Sequence, residues 1–463
     1  LASISKTMKR CIPIFQRRGE ITRWSLQSLA QMANQPLQQN AAVLLQDVAL
    51  RLEKQQTICD ELIDYVRHTS TTTTPTTTTG GSSDTAPGRK KVIQATNNFV
   101  NVPLATQLKL EQKRQAQVQK SIQQLQNLHF LHVDTLQLTQ SIFLGNTTIL
   151  DRFSNADQHL VQATLEQVRS RHAATVENLA DIVIGLRSIQ HYNQQQQQQQ
   201  QSQNDIMLDT MVETFLRQRL GIQLLCDHYV ALHKGKQPHG GVAVNCPLDD
   251  VLQDAATEAK HICDANLNIA PEVIMPADTQ NCSLTLVRPW THHALVELLK
   301  NAMASVVQKA ADDGSHYPSP IRVILRQNDG DDNDEQGRGK IHIDIIDQGV
   351  GLRAGSDSRK VAFGFAQSSS LKRWDRLDEQ WTYAMVRSPL QSLGVGLPLS
   401  RMMMQHFGGN VQLLTNYHDN LEDSENMDGN THTSNGSKGC TASLTLLRDD
   451  EFKENQTIPG LET

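Results

Sequence analysis

The pattern of apolar and polar residues divides the chain into a helical amino half and a mixed carboxy half. Four runs in the amino half have apolar residues at helical spacing: 24–68, 104–130, 156–190 and 207–234. Two polar, low-complexity stretches, 69–91 and 193–204, interrupt these runs and cannot bury a core. The pattern therefore predicts an antiparallel four-helix bundle over 23–240 that carries two disordered insertions.

The carboxy half mixes helical and strand patterns. From Val296 onward a run without Gly or Pro has apolar residues at helical spacing. Around Ile343, by contrast, isoleucines alternate with polar residues over 340–347, as in a half-buried strand. Two closing strands are predicted at 410–416 and 441–448.

These elements predict a second domain over 241–448, an α/β sandwich whose mixed sheet has helices on one face. A polar insertion at 416–438 separates the last two strands and is expected to be a surface loop. A tail follows at 449–463. The predicted fold class is thus α followed by α/β.

Composition limits the function classes. The chain has 463 residues, enough for two or three domains, and its net charge of −6 argues against nucleic acid as a main partner. Its 7 cysteines are scattered, odd in number and without a CxxC pair, which indicates reduced thiols. We expect no membrane span, because no apolar run is long enough.

The first residues are basic. Residues 1–19 contain five Lys and Arg residues, and the first acid is Glu20. Such a start is typical of a mitochondrial transit segment, here placed at 1–22, although an ordinary basic helix has the same composition.

A polar stripe follows one face of the helix predicted around Val296. His293, Glu297 and Asn301 recur every four residues and therefore share a face. A carboxylate and an amide oxygen suit Mg2+, which takes one or two protein oxygens together with phosphates and water. A solvated stripe on an amphipathic helix would have the same pattern.

Two glycine motifs come later. DQGVGL places Asp347 at a strand end, where its carboxylate can accept a hydrogen bond from an exocyclic amine, and Gly349 and Gly351 let backbone approach a flat ligand. A tight turn after a strand would use the same residues. In LGVGLPLSR, Gly394 and Gly396 precede a helix whose free N–H groups suit phosphate.

Arg401 lies about one turn into that helix and could add positive charge, although a surface arginine is an equal alternative. Walker A, VAIK, HRD and DFG motifs are absent from the sequence. The ordinary protein-kinase fold is therefore excluded.

In this order and at these separations, the three motifs resemble the nucleotide site of the Bergerat-fold ATPases and kinases. HHALVELLKNAMAS and GLPLSR are most similar to the mitochondrial protein kinases that phosphorylate 2-oxo acid dehydrogenase complexes. Residues 215–236 resemble the final bundle helix of the branched-chain members, and the pyruvate dehydrogenase kinases share the same outline.

The resemblance implies a role for each site residue. Glu297 would be the general base toward a serine hydroxyl, His293 would orient it, and Asn301 would coordinate Mg2+. Asp347 would bind the adenine amine of ATP, and Thr441 would lie near the adenine.

The glycines complete the implied ATP site. Gly349 and Gly351 would line the base, while Gly394, Gly396 and Leu397 would hold the phosphates beneath a lid formed by 352–393. The chain departs from the family pattern at Cys440, where a glycine is usual, at the Asp-Gln-Gly of 347–349, and within the lid.

The family also implies partners. These are the E1 subunit as substrate, the lipoyl-bearing E2 core as docking partner, a second copy in a homodimer, and the mitochondrial matrix as location. Two other classes stay open: a histidine kinase or ATPase with the same nucleotide fold, and a scaffold without catalysis.

Overall fold

The computed structural model describes residues 21–71, 104–144, 155–194, 201–235, 238–276, 282–328, 339–352, 362–366, 394–416 and 439–455. Most of the predicted transit segment, most of the predicted lid and nearly all of the polar insertion lie outside these residues.

Helices make up the described amino half. They are α1 (Leu26–Gln31), α2 (Leu37–Thr71), α3 (Leu104–Leu144), α4 (Asn155–Arg171), α5 (Thr175–Gln194) and α6 (Gln201–Lys234). α2 packs against both α3 and α6, while α5 lies on α3 and α4 lies on α6. Their fully buried side chains include Leu44, Leu52, Leu125, Leu165, Leu179 and Phe215.

The prediction of one helix over 24–68 is wrong. Ser25 and Ser28 form a capping box that begins α1, a 3-10 turn follows at Met32–Asn34, and α2 begins directly after Pro36. Proline lacks an N–H group and clashes with the preceding turn, so a helix cannot run through this position. The apolar spacing continues across the break and conceals it.

The single helix predicted over 156–190 is also wrong, because a turn after Arg171 separates α4 from α5. Tertiary contacts hold this turn. Arg219 of α6 donates a hydrogen bond of 2.9 Å to the carbonyl oxygen of His172, and the Nε2 atom of that buried ring lies 3.1 Å from the Thr135 hydroxyl. These contacts replace bonds that a continuous helix would make.

Four helix ends lie beyond their predicted limits. α3 continues past residue 130 to Leu144, α2 runs to Thr71, and helix extends into both ends of the predicted insertion 193–204. Glutamine is a good helix former, so a polar composition did not stop these helices. Residues 72–103 and 195–200 lie outside the described part.

The carboxy half combines strands with three described helices. The strands are β1 (Ala243–Pro247), β2 (Val273–Ile274), β3 (Ser283–Leu286), β4 (Ile321–Asn328), β5 (Lys340–Asp347), β6 (Asn410–Asn416) and β7 (Gly439–Leu447). The helices are α7 (Leu248–Leu267), α8 (Arg288–Asp312) and α9 (Gly396–His406).

The predicted mixed sheet is confirmed. Five strands are ordered β2-β4-β5-β7-β6, with β2 parallel to β4 and the other neighbours antiparallel. Ile341, Ile343 and Ile345 of β5 are completely buried, as their alternation predicts. α8 packs on β5 and β7, and α9 packs on α8 and β6.

A short segment after β7 joins the two halves of the molecule. This segment, Asp449–Asn455, is called the tail clasp. Its Glu454 N–H donates to the Trp24 carbonyl at 2.7 Å, and its Asn455 N–H donates to the last residue of α9, His406, at 2.8 Å. The Glu454 carboxylate is buried 2.6 Å from Arg51 of α2 and 3.3 Å from the His406 ring. The clasp therefore fixes α9 against the bundle.

Two further properties concern the described residues alone. None of their helices is both long and apolar enough to cross a bilayer. The six cysteines among them are buried and unbridged, and burial raises the pKa of the Cys226 thiol to about 12.

Candidate functional site

The polar stripe of α8 lies at the centre of the site. The helix has proline in its first turn, where a missing N–H group costs nothing, and it buries one side against α7 and α9. Exposure changes along the stripe: His293 is half-buried, Glu297 is 8% exposed, and Asn301 is exposed. Glu297 is thus buried, while Asn301, one turn later, is accessible. A purely solvated stripe would be exposed along its whole length.

Glu297 is paired with a residue that the sequence did not single out. The Lys300 ammonium lies 2.6 Å from the Glu297 Oε1 atom, and both side chains are almost completely buried. Oε2 of the same carboxylate has no hydrogen bond to any described residue. One oxygen of Glu297 is therefore held while the other is available.

His293 lies one turn before Glu297 and does not carry the counter-charge. Burial lowers the pKa of its imidazole, and the nearby Glu297 carboxylate only partly opposes this effect. Its Nε2 atom is buried without a hydrogen-bond partner among the described residues. The ring is therefore neutral at pH 7.

Asp347 ends β5 in a buried position. Its Oδ1 atom accepts a hydrogen bond of 2.8 Å from the Gly349 N–H group. Burial raises the pKa of this carboxyl, and the N–H groups of Gly349 and Cys440 partly offset the rise by donating to it. The carboxylate is thus held in a fixed orientation by backbone donors.

The contact from Cys440 explains why the chain tolerates its departure from the usual glycine. Cys440 serves Asp347 through its backbone N–H group, which every residue except proline has. The position that has no room for a side chain is the preceding residue, Gly439. A Cβ atom there would lie 2.2 Å from the Asp347 carbonyl oxygen. Thr441 follows, opposite Ile346 in the register of β5 and β7.

The turn after Asp347 packs directly on α8. A Cβ atom on Gly349 would lie 2.1 Å from the Ser305 hydroxyl and 2.6 Å from the Ser305 carbonyl carbon. The same hydroxyl accepts a hydrogen bond of 3.1 Å from the Val350 N–H group. Gly351 has a φ of +68°, a conformation that favours glycine. Ser305 thereby joins the Asp347 turn to the helix that carries Glu297 and Asn301.

The third motif forms the start of α9. Gly394 has a φ of +77°, and its carbonyl oxygen accepts a hydrogen bond of 3.0 Å from Ala366. The helix begins at Gly396, and the capping residue, Val395, offers no side-chain acceptor. Leu397 is half-buried in the first turn. The backbone donors of such a helix start, with the positive end of the helix dipole, suit an anionic ligand.

Arg401 of α9 lies next to the bundle helix α6. Its guanidinium stacks 4.6 Å from the centre of the Phe363 ring, and Nε donates to Asn410 at 3.4 Å. It lines a cleft of about 330 Å³ between α6 and α9, together with Asp209 and Glu213. The structure thus places Arg401 at the contact between the two halves.

Two site residues were missed at the level of sequence, and each had a local signal. Ser305 continues the four-residue stripe one turn beyond Asn301. Lys300 lies three residues after Glu297, a spacing at which side chains on a helix meet. Most of the predicted lid, 353–361 and 367–393, falls outside the described residues.

The residues present fit a magnesium nucleotide. Asn301 exposes an amide oxygen, Asp347 offers a fixed carboxylate for an amine, and the α9 start offers backbone donors for phosphates. The described residues contain no group of three His, Cys, Asp or Glu side chains that could hold a metal ion. Magnesium does not need one, since phosphates and water complete its coordination.

Comparison with known proteins gives two results. A family model described as mitochondrial branched-chain alpha-ketoacid dehydrogenase kinase matches residues 20–246, which span the helical half up to β1. A pyruvate dehydrogenase (acetyl-transferring) kinase of Schizosaccharomyces pombe is 27% identical over 54% of this chain and 55% of its own length.

Two animal proteins with the same kind of name are also similar. The pyruvate dehydrogenase kinase of Drosophila melanogaster is 24% identical over 55% of this chain and 58% of its own length. Isozyme 1 of Mus musculus is 23% identical over 65% of this chain and 66% of its own length. The chain thus spans between about half and two thirds of the length of these relatives, all three of which are named as mitochondrial.

Proposed function

Because the chain belongs to the family of mitochondrial protein kinases that includes the branched-chain alpha-ketoacid and pyruvate dehydrogenase kinases, we propose that it is an ATP-dependent protein serine/threonine kinase. Its proposed substrate is the E1 subunit of the branched-chain 2-oxo acid dehydrogenase complex, which phosphorylation would inactivate. The observation that carries the proposal is the buried Glu297 carboxylate with one oxygen available, one turn from the exposed Asn301.

In the proposed reaction, Glu297 acts as general base. The serine hydroxyl oxygen forms a bond to the γ-phosphorus of ATP, and its proton passes to the Glu297 carboxylate. The bond from that phosphorus to the β,γ-bridging oxygen breaks, and ADP leaves. His293 is neutral beside the base, so it adds no second positive charge there.

Nucleotide binding is assigned to the elements around α8. Asp347 would accept the adenine amine, with Thr441 nearby and Gly349 and Gly351 against the flat base. The α9 start, including Gly394, Gly396 and Leu397, would hold the phosphates. Asn301 would coordinate Mg2+, which neutralises phosphate charge when bound. Residues 352–393 are proposed to close over the nucleotide.

The proposed partners follow the family. They are the E1 subunit as substrate, the lipoyl-bearing E2 core, and a second copy of the chain, with the mitochondrial matrix as location. A pyruvate dehydrogenase kinase is the second candidate, because the relatives described above have that name whereas the family model has the branched-chain one.

The deciding experiment compares the two substrates side by side. Purified protein with MgATP carrying a radiolabelled γ-phosphate is incubated with branched-chain E1 or with pyruvate dehydrogenase E1. We expect acid-stable label on branched-chain E1. Label on the pyruvate enzyme alone would support the second candidate, and acid-labile label on the protein itself would support a histidine kinase. Nucleotide binding without any label would contradict the kinase proposal and favour an ATPase or a scaffold.

A further inference from the structure

The counter-charge of the proposed base comes from Lys300. Glu297 and Lys300 are three positions apart on α8, and the distance between Glu297 Oε1 and Lys300 Nζ is 2.6 Å. The Glu297 side chain is 10% exposed and the Lys300 side chain is 5% exposed. A buried charge is costly unless it is paired and hydrogen-bonded, and this contact gives Glu297 both a counter-charge and a fixed position for Oε1.

The residue expected to orient Glu297 does not supply that charge. His293 makes no hydrogen bond through its buried Nε2 atom, and burial holds its ring neutral, with Lys300 nearby adding to that effect. The positive charge next to the base is therefore the Lys300 ammonium.

Three titratable groups on the elements around α8 contact partners other than Glu297. Glu258 of α7 lies 3.6 Å from His292, and His406 of α9 lies 3.3 Å from Glu454. Asp347 at the end of β5 is held by backbone N–H groups. The Glu297 carboxylate is paired instead with the Lys300 ammonium.

We propose that Lys300 is the positioning residue of the base: its ammonium pairs with Oε1 and holds it, so that Oε2 is presented to the acceptor hydroxyl. The inference rests on the proposed kinase function and assigns a role within it.

The test replaces Lys300 with methionine, which has a similar length and no charge. We expect Lys300→Met to lower kcat by about tenfold to a hundredfold, the size of effect that a misplaced catalytic group produces. The KM for ATP should stay within about twofold of the wild-type value, because Lys300 is not proposed to bind ATP.

Two further variants distinguish positioning from a loss of structure. Lys300→Arg restores a positive charge and should recover part of kcat. Lys54→Met, which removes an exposed lysine of α2, should match the wild type in kcat and in the KM for ATP. Unchanged kcat in Lys300→Met would overturn the inference, as would a fall in kcat accompanied by an equal loss of ATP binding.

Calorimetric titration with MgADP tests the role of Lys300 without relying on transfer. We expect Lys300→Met and the wild type to have the same affinity, because Lys300 is proposed to hold the base and not the nucleotide. A loss of affinity in Lys300→Met equal to its loss of kcat would overturn the inference. Absence of transfer to E1 by the wild type would instead count against the proposed function alone.

Discussion

At the scale of single residues, the contact between Gly349 and Ser305 leaves no room for a side chain. A methyl group on Gly349 would meet both the hydroxyl and the backbone of Ser305, and the backbone cannot move aside. We expect Gly349→Ala to cost about 1–3 kcal/mol of stability, as overpacking does, and to weaken nucleotide binding at least about tenfold. Thermal unfolding and calorimetric titration with MgADP would measure the two effects.

Gly314→Ala is the matched control for that variant. Gly314 also has a positive φ, +68°, but its added methyl group would meet nothing within 4 Å. Its alanine variant should lose some stability through backbone strain and keep its affinity for MgADP. Equal affinities in Gly349→Ala and the wild type would show that the turn after Asp347 does not contact the nucleotide.

The residues of the site were only partly predictable from sequence. Glu297 and Asn301 stand out because they share one polar face of a predicted helix, and Asp347 because it ends a predicted strand before a glycine motif. Lys300 does not, since lysine on an amphipathic helix ordinarily points to solvent. Lys300 is buried because other elements pack around α8, and the spacing of residues along the helix does not predict which elements these are.

At the scale of elements, the tail clasp is stabilised by one buried carboxylate. Burial alone would raise the pKa of Glu454, but Arg51 and His406 outweigh burial and hold it at about 2. A depressed pKa gives stability that is complete above the unfolded value and is lost as pH falls toward the folded one. The wild type should therefore lose stability between about pH 4.5 and pH 2.

Glu454→Gln should not show this part of the acid dependence. At neutral pH the Glu454→Gln protein should be less stable than the wild type by about 3–5 kcal/mol, because removing one partner of a buried ion pair leaves the other charge buried and unpaired. Glu451→Gln changes an exposed acid of the same segment and should differ little from the wild type. Chemical denaturation of the three proteins at several pH values measures the difference. Parallel pH dependence in Glu454→Gln and the wild type would contradict the assigned role of Glu454.

Element boundaries were predicted best where one strong pattern decided them. β5 and β6 have the predicted limits, because alternation and flanking polar residues fix both ends. The break between α4 and α5 was missed, because it depends on Arg219 of another helix reaching the His172 carbonyl. The break before α2 had a local signal, Pro36, that the apolar spacing outweighed.

At the scale of the whole molecule, polar contacts among the described residues connect the bundle to the carboxy half through the clasp, α9 and Phe365. Arg51 pairs with Glu454, Arg217 of α6 donates to Gln405 of α9 at 2.8 Å, and Arg187 of α5 donates to the Phe365 carbonyl at 3.1 Å. Phe365 is one of the described residues within the predicted lid, 352–393. The bundle thus contacts both α9 and a part of the predicted lid.

This connection predicts cooperative unfolding. Calorimetry of the wild type should show one transition for both halves, because separating them exposes the buried charges of the clasp. In Glu454→Gln the two halves should begin to separate into two transitions. Two well-resolved transitions in the wild type would show that the halves are energetically independent. No local sequence pattern predicts this coupling, since Arg51 and Glu454 are 403 residues apart.

Glu297 is proposed to be the base of a phosphoryl transfer carried out on a bound nucleotide. This role is tested most directly by comparing Glu297→Gln with the wild type in MgATP binding and in transfer to the E1 subunit. Glutamine keeps the shape and one oxygen but cannot take up the proton, so we predict unchanged binding and a loss of transfer of about 100-fold or more. Transfer at the wild-type rate by Glu297→Gln would contradict the account.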